Sequence, residues 1–270
     1  MTRAGTSRAF ALPLVIILSL VVGLMVAVML ERQTAQSLSV VRQIKGYQSH
    51  HTELGVRNLV DGWLKSISPR VLEDIDSEER HILDIRAGDG WTCEIYIGDA
   101  QGRVLTNFDG LGGEQLSRAR RIARAYRRMG GEPDRTREAG PVEISLRSAS
   151  RDAILAVAMS VLDDEDLAAD FTDRIVTVRD RDDLNDGSAA TAAAELGAEN
   201  DARASLQALL TMTPRLYGVR VVLIGPGQND PELEFEGLAM FRGGQQGVGQ
   251  RISKDSEFLS WRPGVPIDDE

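Results

Sequence analysis

An acid-rich loop holds the densest group of potential metal ligands in the sequence. Residues 179–187 read RDRDDLNDG, and carboxylate oxygens are ligands that Ca²⁺ prefers. Aligned with a calcium loop of the D-x-[DN]-x-[DN]-G type, the stretch places Leu184 where an oxygen ligand belongs, so the match is poor. No other cofactor or metal is expected. Calcium stays an open hypothesis with four candidate ligands: Asp180, Asp182, Asp183 and Asp186.

Histidine and cysteine are scarce, with three histidines and one cysteine in the chain. His50 and His51 are neighbours in a predicted helix and point in different directions, so we expect a solvated surface there rather than a shared metal. His81 has no companion ligand pattern. Cys93 lies in WTCEIYI, where apolar and polar residues alternate, and is predicted to be a buried structural thiol.

Catalytic motifs are missing from the sequence, which contains no G-x-S-x-G, H-E-x-x-H, Walker or Rossmann pattern. We therefore predict no enzyme activity. The formal net charge of −10 argues against nucleic acid and against adhesion to anionic lipid. The one dense basic patch lies in EQLSRARRIARAYRRM, and the dipole of a helix favours arginine near its C-terminal end. Its arginines are Arg118, Arg120, Arg121, Arg124, Arg127 and Arg128.

The element that organises the chain is Ala9–Leu30, a stretch of 22 residues without a charge. A helix of that length, rising about 1.5 Å per residue, crosses the roughly 30 Å hydrocarbon core of a bilayer. No other stretch of the sequence approaches it. The sequence therefore predicts one transmembrane segment, with the remainder of the chain on one side of the membrane.

Three interpretations of this segment compete. A cleaved secretory signal has a shorter apolar core and a small-x-small cleavage site, whereas Glu31-Arg32-Gln33 follow here. The second interpretation is an uncleaved signal anchor. The third is a prepilin-type leader, in which the short polar head, residues 1–9, is removed by a cut between Ala9 and Phe10.

Charge does not decide the orientation, because Arg3 and Arg8 precede the segment while Arg32, Arg42 and Lys45 follow it. We place the N-terminus in the cytoplasm, since a short head is easily retained there. The predicted location is the inner (cytoplasmic) membrane, with a single pass and a periplasmic C-terminal domain.

Helix formers continue after Leu30, with no proline before Pro69. Six apolar residues then fall at i, i+3, i+4, i+7, i+8 and i+11, which is one face of a helix. We predict a nearly continuous helix over residues 10–67, whose last third packs on a globular domain. The six residues are Val56, Leu59, Val60, Trp63, Leu64 and Ile67.

The remaining chain mixes strand and helix patterns. WTCEIYI and RVLTNF flank the turn GDAQG and predict a β-hairpin, preceded by a short helix or irregular connection over residues 68–90. Helices are predicted for the arginine-rich stretch, for SRDAILAVAMSVL with Ser148 or Ser150 as its cap, for DDEDLAADFTDRIVTVRD and for DARASLQALLTM. LYGVRVVLIG and PELEFEGLAMF are predicted to pair as strands, followed by an extended FLSWRPG.

This order resembles that of the general secretion pathway protein K family, the minor pseudopilins of type II secretion systems. The likeness rests on the apolar leader segment, on ISLRSASRDAILAVAMSVL, and on LYGVRVVLIG, LEFEGLAMFRGG and LSWRP. Prepilin leaders usually have Gly where Ala9 stands, and most pilins have Glu at the fifth position after the cut, where Leu14 stands. Ser145 and Arg147 replace the asparagines of the family's NLNTAS-like start, and Asp163-Asp164-Glu165 replace its Pro-Gly turn.

The resemblance implies an α+β, pilin-like fold, in which a long N-terminal transmembrane and amphipathic helix packs on a small antiparallel sheet with a helical insertion. Its segments are 1–9, leader; 10–30, transmembrane helix; 31–67, stalk helix; 68–147, hairpin and helix; 148–213, helical insertion; and 214–270, closing strands.

The resemblance also implies a structural role in a type II secretion or type IV pilus-like apparatus. A prepilin peptidase would remove the leader, and the new Phe10 amine would be methylated. The partners would be other minor pseudopilins and inner-membrane assembly proteins, with a place at the filament tip because Leu14 cannot neutralise a neighbour's terminal amine.

A second hypothesis is a signal-anchored extracytoplasmic sensor or adaptor. It predicts an uncleaved N-terminus and a ligand pocket. The pattern I-x-D-x-x-G-x-V-L over residues 97–105 occurs in such domains.

Overall fold

The computed structural model describes residues 11–67, 75, 79–227, 231–242 and 255–264. The chain divides into two units, Met1–Val56 and Arg57–Glu270. The helices are α1 (Ala11–Ser66), α2 (Gly113–Arg128), α3 (Arg151–Val161), α4 (Glu165–Asp180), α5 (Ser188–Glu195) and α6 (Asn200–Leu209). The strands are β1 (Arg80–Arg86), β2 (Thr92–Asp99), β3 (Val104–Leu105), β4 (Thr136–Arg137), β5 (Ile144–Ser145), β6 (Leu210–Thr211), β7 (Leu216–Ile224), β8 (Pro231–Arg242) and β9 (Asp255–Pro263).

The first unit consists of α1 up to Val56. Helix α1 is 56 residues long in all and continues into the second unit, as the unbroken run of helix formers predicts. Its interior glycines, of which Gly23, Gly46 and Gly55 lie in this unit, face open space. Each costs about 1 kcal/mol relative to alanine, and none interrupts the helix.

The second unit is built on an antiparallel sheet with the strand order β1-β2-β7-β8-β9. One face of this sheet is apolar: Ile95 and Ile97 on β2 lie opposite Val221 and Val219 on β7, and all four are buried. Because successive side chains of a strand point to opposite faces, the alternating sequence of β2 produces this division.

The last turns of α1 contribute to the apolar core of this unit. Val60 and Leu64 have no exposed surface. Beside them the Arg57 guanidinium lies 5.9 Å from the centre of the Phe258 ring on β9. The sequence predicted Leu59 as part of the buried face of this helix, but its side chain remains 39% exposed. The buried face of α1 therefore covers less of the helix than predicted.

An aromatic cluster covers the β8–β9 end of the apolar face. The Phe235 and Trp261 rings stack with their centres 5.9 Å apart, and Phe258 meets Trp261 edge-on at 5.0 Å. Gly237 lies opposite Trp261, and a Cβ atom there would come within 2.6 Å of the indole ring. The indole therefore requires glycine at this position of β8.

Between β2 and β7 the chain forms a helical insertion with a core of its own, in which Tyr126, Ile154, Phe171, Ile175 and Leu206 are fully buried. Of the five helices described in it, α2, α3, α4 and α6 were predicted, and the alanine-rich sequence of α5 left a loose helix or a linker as alternatives. Ser150 caps α3 by accepting from the Ala153 amide at 3.1 Å, and Asp164 caps α4 by accepting from two amides of its first turn. The α+β class, with a long N-terminal helix, an antiparallel sheet and a helical insertion, is confirmed.

The predicted hairpin around GDAQG is wrong. Strand β2 pairs with β1 on one side and with β7 on the other. Strand β1 lies in the stretch, residues 68–90, that was expected to be a short helix or an irregular connection. The chain after Gly102 instead enters the insertion, where β3 pairs in parallel with β4. At this point Gly102 lies against Ser148 of the insertion: a Cβ atom on Gly102 would lie 2.3 Å from the Ser148 Oγ and 2.4 Å from the Ser148 carbonyl carbon.

Candidate functional site: the apolar helix and the surfaces of the α+β unit

The apolar part of α1 is the most prominent surface of the chain. Its large side chains from Leu14 to Leu30 are 43–67% exposed, and no charged residue interrupts them. Within the described residues, α1 is the helix long and apolar enough to cross a membrane. Burying each such side chain in an apolar phase is favourable by about 1.5–3 kcal/mol, so this segment requires lipid or a protein partner.

The predicted processing site, Ala9 and Phe10, lies outside the described residues. Leu14, the fifth residue after the predicted cut, is described and is 64% exposed on α1. The side chain at this position is therefore available to a neighbour, and it carries no charge.

A second apolar stripe follows on α1 beyond Leu30. Val40, Ile44, Tyr47 and Leu54 recur at i, i+4, i+7 and i+14, which places them on one side of the helix, and they are 39–69% exposed. This stripe has the spacing that packs against another helix.

A buried polar joint connects the sheet to the helical insertion. The Asp99 carboxylate, at the end of β2, accepts hydrogen bonds from the Gln101 amide at 2.8 Å and from the Ser148 hydroxyl at 2.7 Å. The side-chain oxygen of Gln101 accepts from the Arg215 amide at 2.7 Å. Burial raises the pKa of Asp99 above its ordinary value, while the hydroxyls of Ser145 and Ser148 act to lower it.

Arg137 completes this joint from within the insertion. Its guanidinium, almost fully buried, donates to the backbone oxygens of four residues: Arg103 at 2.9 Å, Ala139 at 2.9 Å, Glu143 at 3.2 Å and Pro141. Burial lowers the pKa of Arg137 to about 10, so it remains charged at neutral pH. The buried roles of Asp99 and Arg137 were not predicted from the sequence, because D-A-Q-G was interpreted as a turn and as part of a sensor-like pattern, and T-R-E carries no distinguishing pattern.

The polar face of the sheet carries an ion-pair network. Arg220 on β7 donates to Glu79 at 2.7 Å and to Glu234 at 3.3 Å, and its guanidinium lies 4.3 Å from the centre of the Tyr96 ring. Tyr96 in turn donates to Glu94 at 2.8 Å. This network is on the open face of an antiparallel sheet, and its geometry provides neither a nucleophile nor an enclosed cavity.

The calcium candidates lie in the turn after α4. Asp180 is the last residue of that helix, and Asp182 adopts a left-handed conformation with φ of 59°. The side chain of Asn185 accepts from the Gly187 amide at 2.9 Å, so the turn is held by its own bonds. Within the described part of the chain, no three His, Cys, Asp or Glu side chains are grouped to hold a metal ion. Calcium binding by Asp180, Asp182, Asp183 and Asp186 remains a hypothesis that rests on their sequence alone.

The histidines and the cysteine occupy different places. His50 and His51 are exposed on α1 with ring centres 6.1 Å apart, and the His81 ring nitrogen lies 2.5 Å from the Asp84 carboxylate on the exposed edge strand β1. Cys93 is buried on the apolar face of β2, as predicted. Burial raises the pKa of its thiol to about 11, which makes it unreactive near neutral pH.

Two clefts of about 260 and 300 Å³ open on the helical insertion. The first lies between Glu114 and Arg118 on one side and Glu199 and Asp201 on the other. The second lies beside Asp186. Both are open to solvent and lined by polar groups, so neither resembles the enclosed apolar pocket of a small-molecule site.

Comparison with known proteins gives a structural likeness but no match by sequence. No protein-family profile matches the chain. No curated protein matches it either. A chain in the crystal structure of the GspK-GspI-GspJ complex from the enterotoxigenic Escherichia coli type 2 secretion system superposes with a TM-score of 0.41 at 9% identity, over 83% of this chain and 99% of that one. This score is too low for the likeness to support an argument about function.

Proposed function

We propose that the chain is a membrane-anchored structural subunit of the minor pseudopilin type, acting in a type II secretion or type IV pilus-like apparatus. Helix α1 carries the proposal. One helix includes both the uncharged, exposed segment up to Leu30 and the residues Val60 and Leu64, which are buried in the α+β unit. The same helix therefore supplies an apolar segment for lipid or for other subunits and, at its C-terminal end, part of the core of a folded domain.

The details of the proposal follow from the resemblance of the sequence to the general secretion pathway protein K family. The peptide bond between Ala9 and Phe10 is cut by a prepilin peptidase, and the new amine is methylated. The N-terminus faces the cytoplasm, and the α+β unit lies in the periplasm. Leu14 provides no carboxylate for a neighbour's amine, so the subunit belongs at the filament tip, in contact with other minor pseudopilins and inner-membrane assembly proteins. The role requires no catalysis and no cofactor.

The intact N-terminus of the membrane-extracted protein tests the proposal. Mass spectrometry should find a chain that begins at Phe10 and is one methyl group heavier than its sequence. The variant Ala9→Leu should remain unprocessed, because it places a large side chain beside the scissile bond, whereas the matched variant Ala4→Leu should be processed normally. A wild-type chain beginning at Met1 or Thr2 would contradict the proposal and favour the anchored sensor or adaptor.

A further inference from the structure

The solvent-exposed side of α2 is a continuous row of guanidinium groups. The five arginines occupy positions i, i+1, i+4, i+7 and i+8 and therefore share about one third of the helix circumference. The opposite side of α2, with Ile122 and Tyr126, is buried in the core of the insertion. We call the exposed row the arginine stripe: Arg120, Arg121, Arg124, Arg127 and Arg128.

Ion pairs do not neutralise the stripe in the described part of the chain, although the protein has 41 acidic residues. Glu114 is the one acid of α2, and it pairs with Arg118, outside the stripe. Within the stripe, Arg127 donates to the Ala123 carbonyl at 3.2 Å. No described acid side chain forms an ion pair with any of the five.

Helix electrostatics explain only part of the stripe. The macrodipole favours a cation within the last turn, which accounts for Arg127 and Arg128 but not for the arginines a turn or more earlier. Arg120 and Arg124 are like charges four residues apart and so destabilise α2, as do Arg124 and Arg128. The row therefore reduces the stability of the helix that carries it, which points to a role outside this chain.

We propose that the arginine stripe binds an acidic segment of another protein, whose carboxylates are spaced one helical turn apart. A guanidinium group matches a carboxylate with two parallel hydrogen bonds, and such charge-assisted pairs are the stronger ones in proteins. The inference does not rest on the proposed function, since a sensor or adaptor could use the same surface.

The surroundings of the stripe favour a narrow protein segment over a bilayer or a nucleic acid. The cleft that includes Arg121 is also lined by Glu114, Glu199 and Asp201. A bilayer or a nucleic acid that contacted the whole stripe would bring its phosphates close to these carboxylates. The net charge of −10 adds to this repulsion. A narrow acidic segment can contact Arg124, Arg127 and Arg128, which do not line this cleft.

The test uses the full chain in nanodiscs of zwitterionic lipid. The probe is a fluorescent helical peptide with Glu at i, i+4, i+7 and i+11, and its partner probe has Gln at the same positions. The stripe variant carries Arg120→Gln, Arg121→Gln and Arg124→Gln. The matched control carries Arg86→Gln, Arg103→Gln and Arg181→Gln, three exposed arginines outside α2.

Anisotropy should show that the Glu peptide binds the wild type and that the stripe variant loses at least about tenfold in affinity, because charge-assisted pairs are removed. The control should lose much less, and the Gln peptide should not bind. The Tm of the stripe variant should equal or exceed that of the wild type, since like-charge repulsion is relieved.

Three results would overturn the proposal. Equal losses in the stripe variant and the control would indicate nonspecific charge, and a clearly lower Tm for the stripe variant would indicate a structural role. Stripe-dependent binding to phosphatidylglycerol vesicles, with no binding of the Glu peptide, would show that the surface is for lipid.

Discussion

The Asp99 carboxylate accepts a hydrogen bond from the Ser148 hydroxyl at 2.7 Å, across 49 residues of chain. Asp99 ends β2 in the sheet, and Ser148 precedes α3 in the insertion. The bond therefore joins the sheet to the insertion, close to where the chain passes from one to the other. Because Asp99 is 5% exposed, this joint is formed at the cost of desolvating a carboxylate.

Asp99 should make stability depend on pH. Burial raises the pKa of its carboxyl in the folded protein, so the folded chain retains this proton at pH values where the unfolded chain has lost it. The free energy of unfolding should therefore fall as pH rises from the ordinary Asp value through the raised one. Asp99→Asn should remove that part of the dependence, as measured by thermal unfolding of the full chain in detergent at a series of pH values.

The matched control for this experiment is Asp109→Asn, which changes an exposed carboxylate in the same region. Its pH profile should follow that of the wild type. If Asp99→Asn also left the profile unchanged, the Asp99 carboxyl would have the same pKa in the folded and unfolded chain, which would contradict the effect of its burial.

Substitution of Arg137 should lower the free energy of unfolding more than substitution of an exposed arginine. Arg137→Met removes the donors from four backbone oxygens, including those of Arg103 and Glu143, and should reduce the free energy of unfolding by about 3 kcal/mol or more. Arg137→Lys should recover little, because an ammonium group cannot reproduce the planar set of donors. Arg135→Met, two residues away and exposed, should cost less than about 1 kcal/mol in the same unfolding measurement.

The packing of the last turns of α1 can be tested by two leucines of the same helix. Leu64 is fully buried, and Leu64→Ala should cost about 2–5 kcal/mol through lost contacts and a residual cavity. Leu59 is 39% exposed, and Leu59→Ala should cost less than about 1 kcal/mol. Chemical denaturation of both variants gives the comparison. Equal costs would show that α1 does not pack on the sheet by the face described.

Cys93 should resist alkylation in the folded protein. Its thiol is buried and its pKa is raised to about 11, so at pH 8 its thiolate population is about a hundredth of that of an ordinary thiol with a pKa of 9.0. Peptide mass spectrometry after iodoacetamide treatment should find Cys93 unmodified until the chain unfolds. In the variant Ser117→Cys, the exposed thiol on α2 should react readily in the same sample, and rapid labelling of Cys93 would contradict its burial.

Elements with a clear period were predictable from the sequence. An apolar face identified α2, a capping serine and first-turn acids identified α3 and α4, and the strand-like runs of β7 and β8 were predicted together with their pairing. The helix that continues from the apolar segment was also predicted. These features depend on neighbours close in sequence, which pattern analysis can see.

Strand partners and buried polar groups depend on distant residues, and here the sequence was insufficient. Alternation in β2 identified a strand but could not show that β1 and β7, rather than the following residues, would pair with it. The sequence GDAQG has the composition of a hairpin turn. The residue that Gly102 contacts, Ser148, lies 46 residues later in the chain, so the local sequence gives no sign of this contact. Arg137 gives no local signal, since its partners are backbone oxygens.

The neighbouring positions of β2 and β7 have a consequence for how this chain can vary. Asp99 and Tyr217 are directly paired across the two strands, so the insertion leaves and re-enters the sheet at adjacent positions. Without the insertion, β1, β2, β7, β8 and β9 would follow one another in space as they do in sequence. Topologically, the insertion is a single enlarged connection in a five-stranded meander. A change in its length therefore leaves the order of the five strands unaltered.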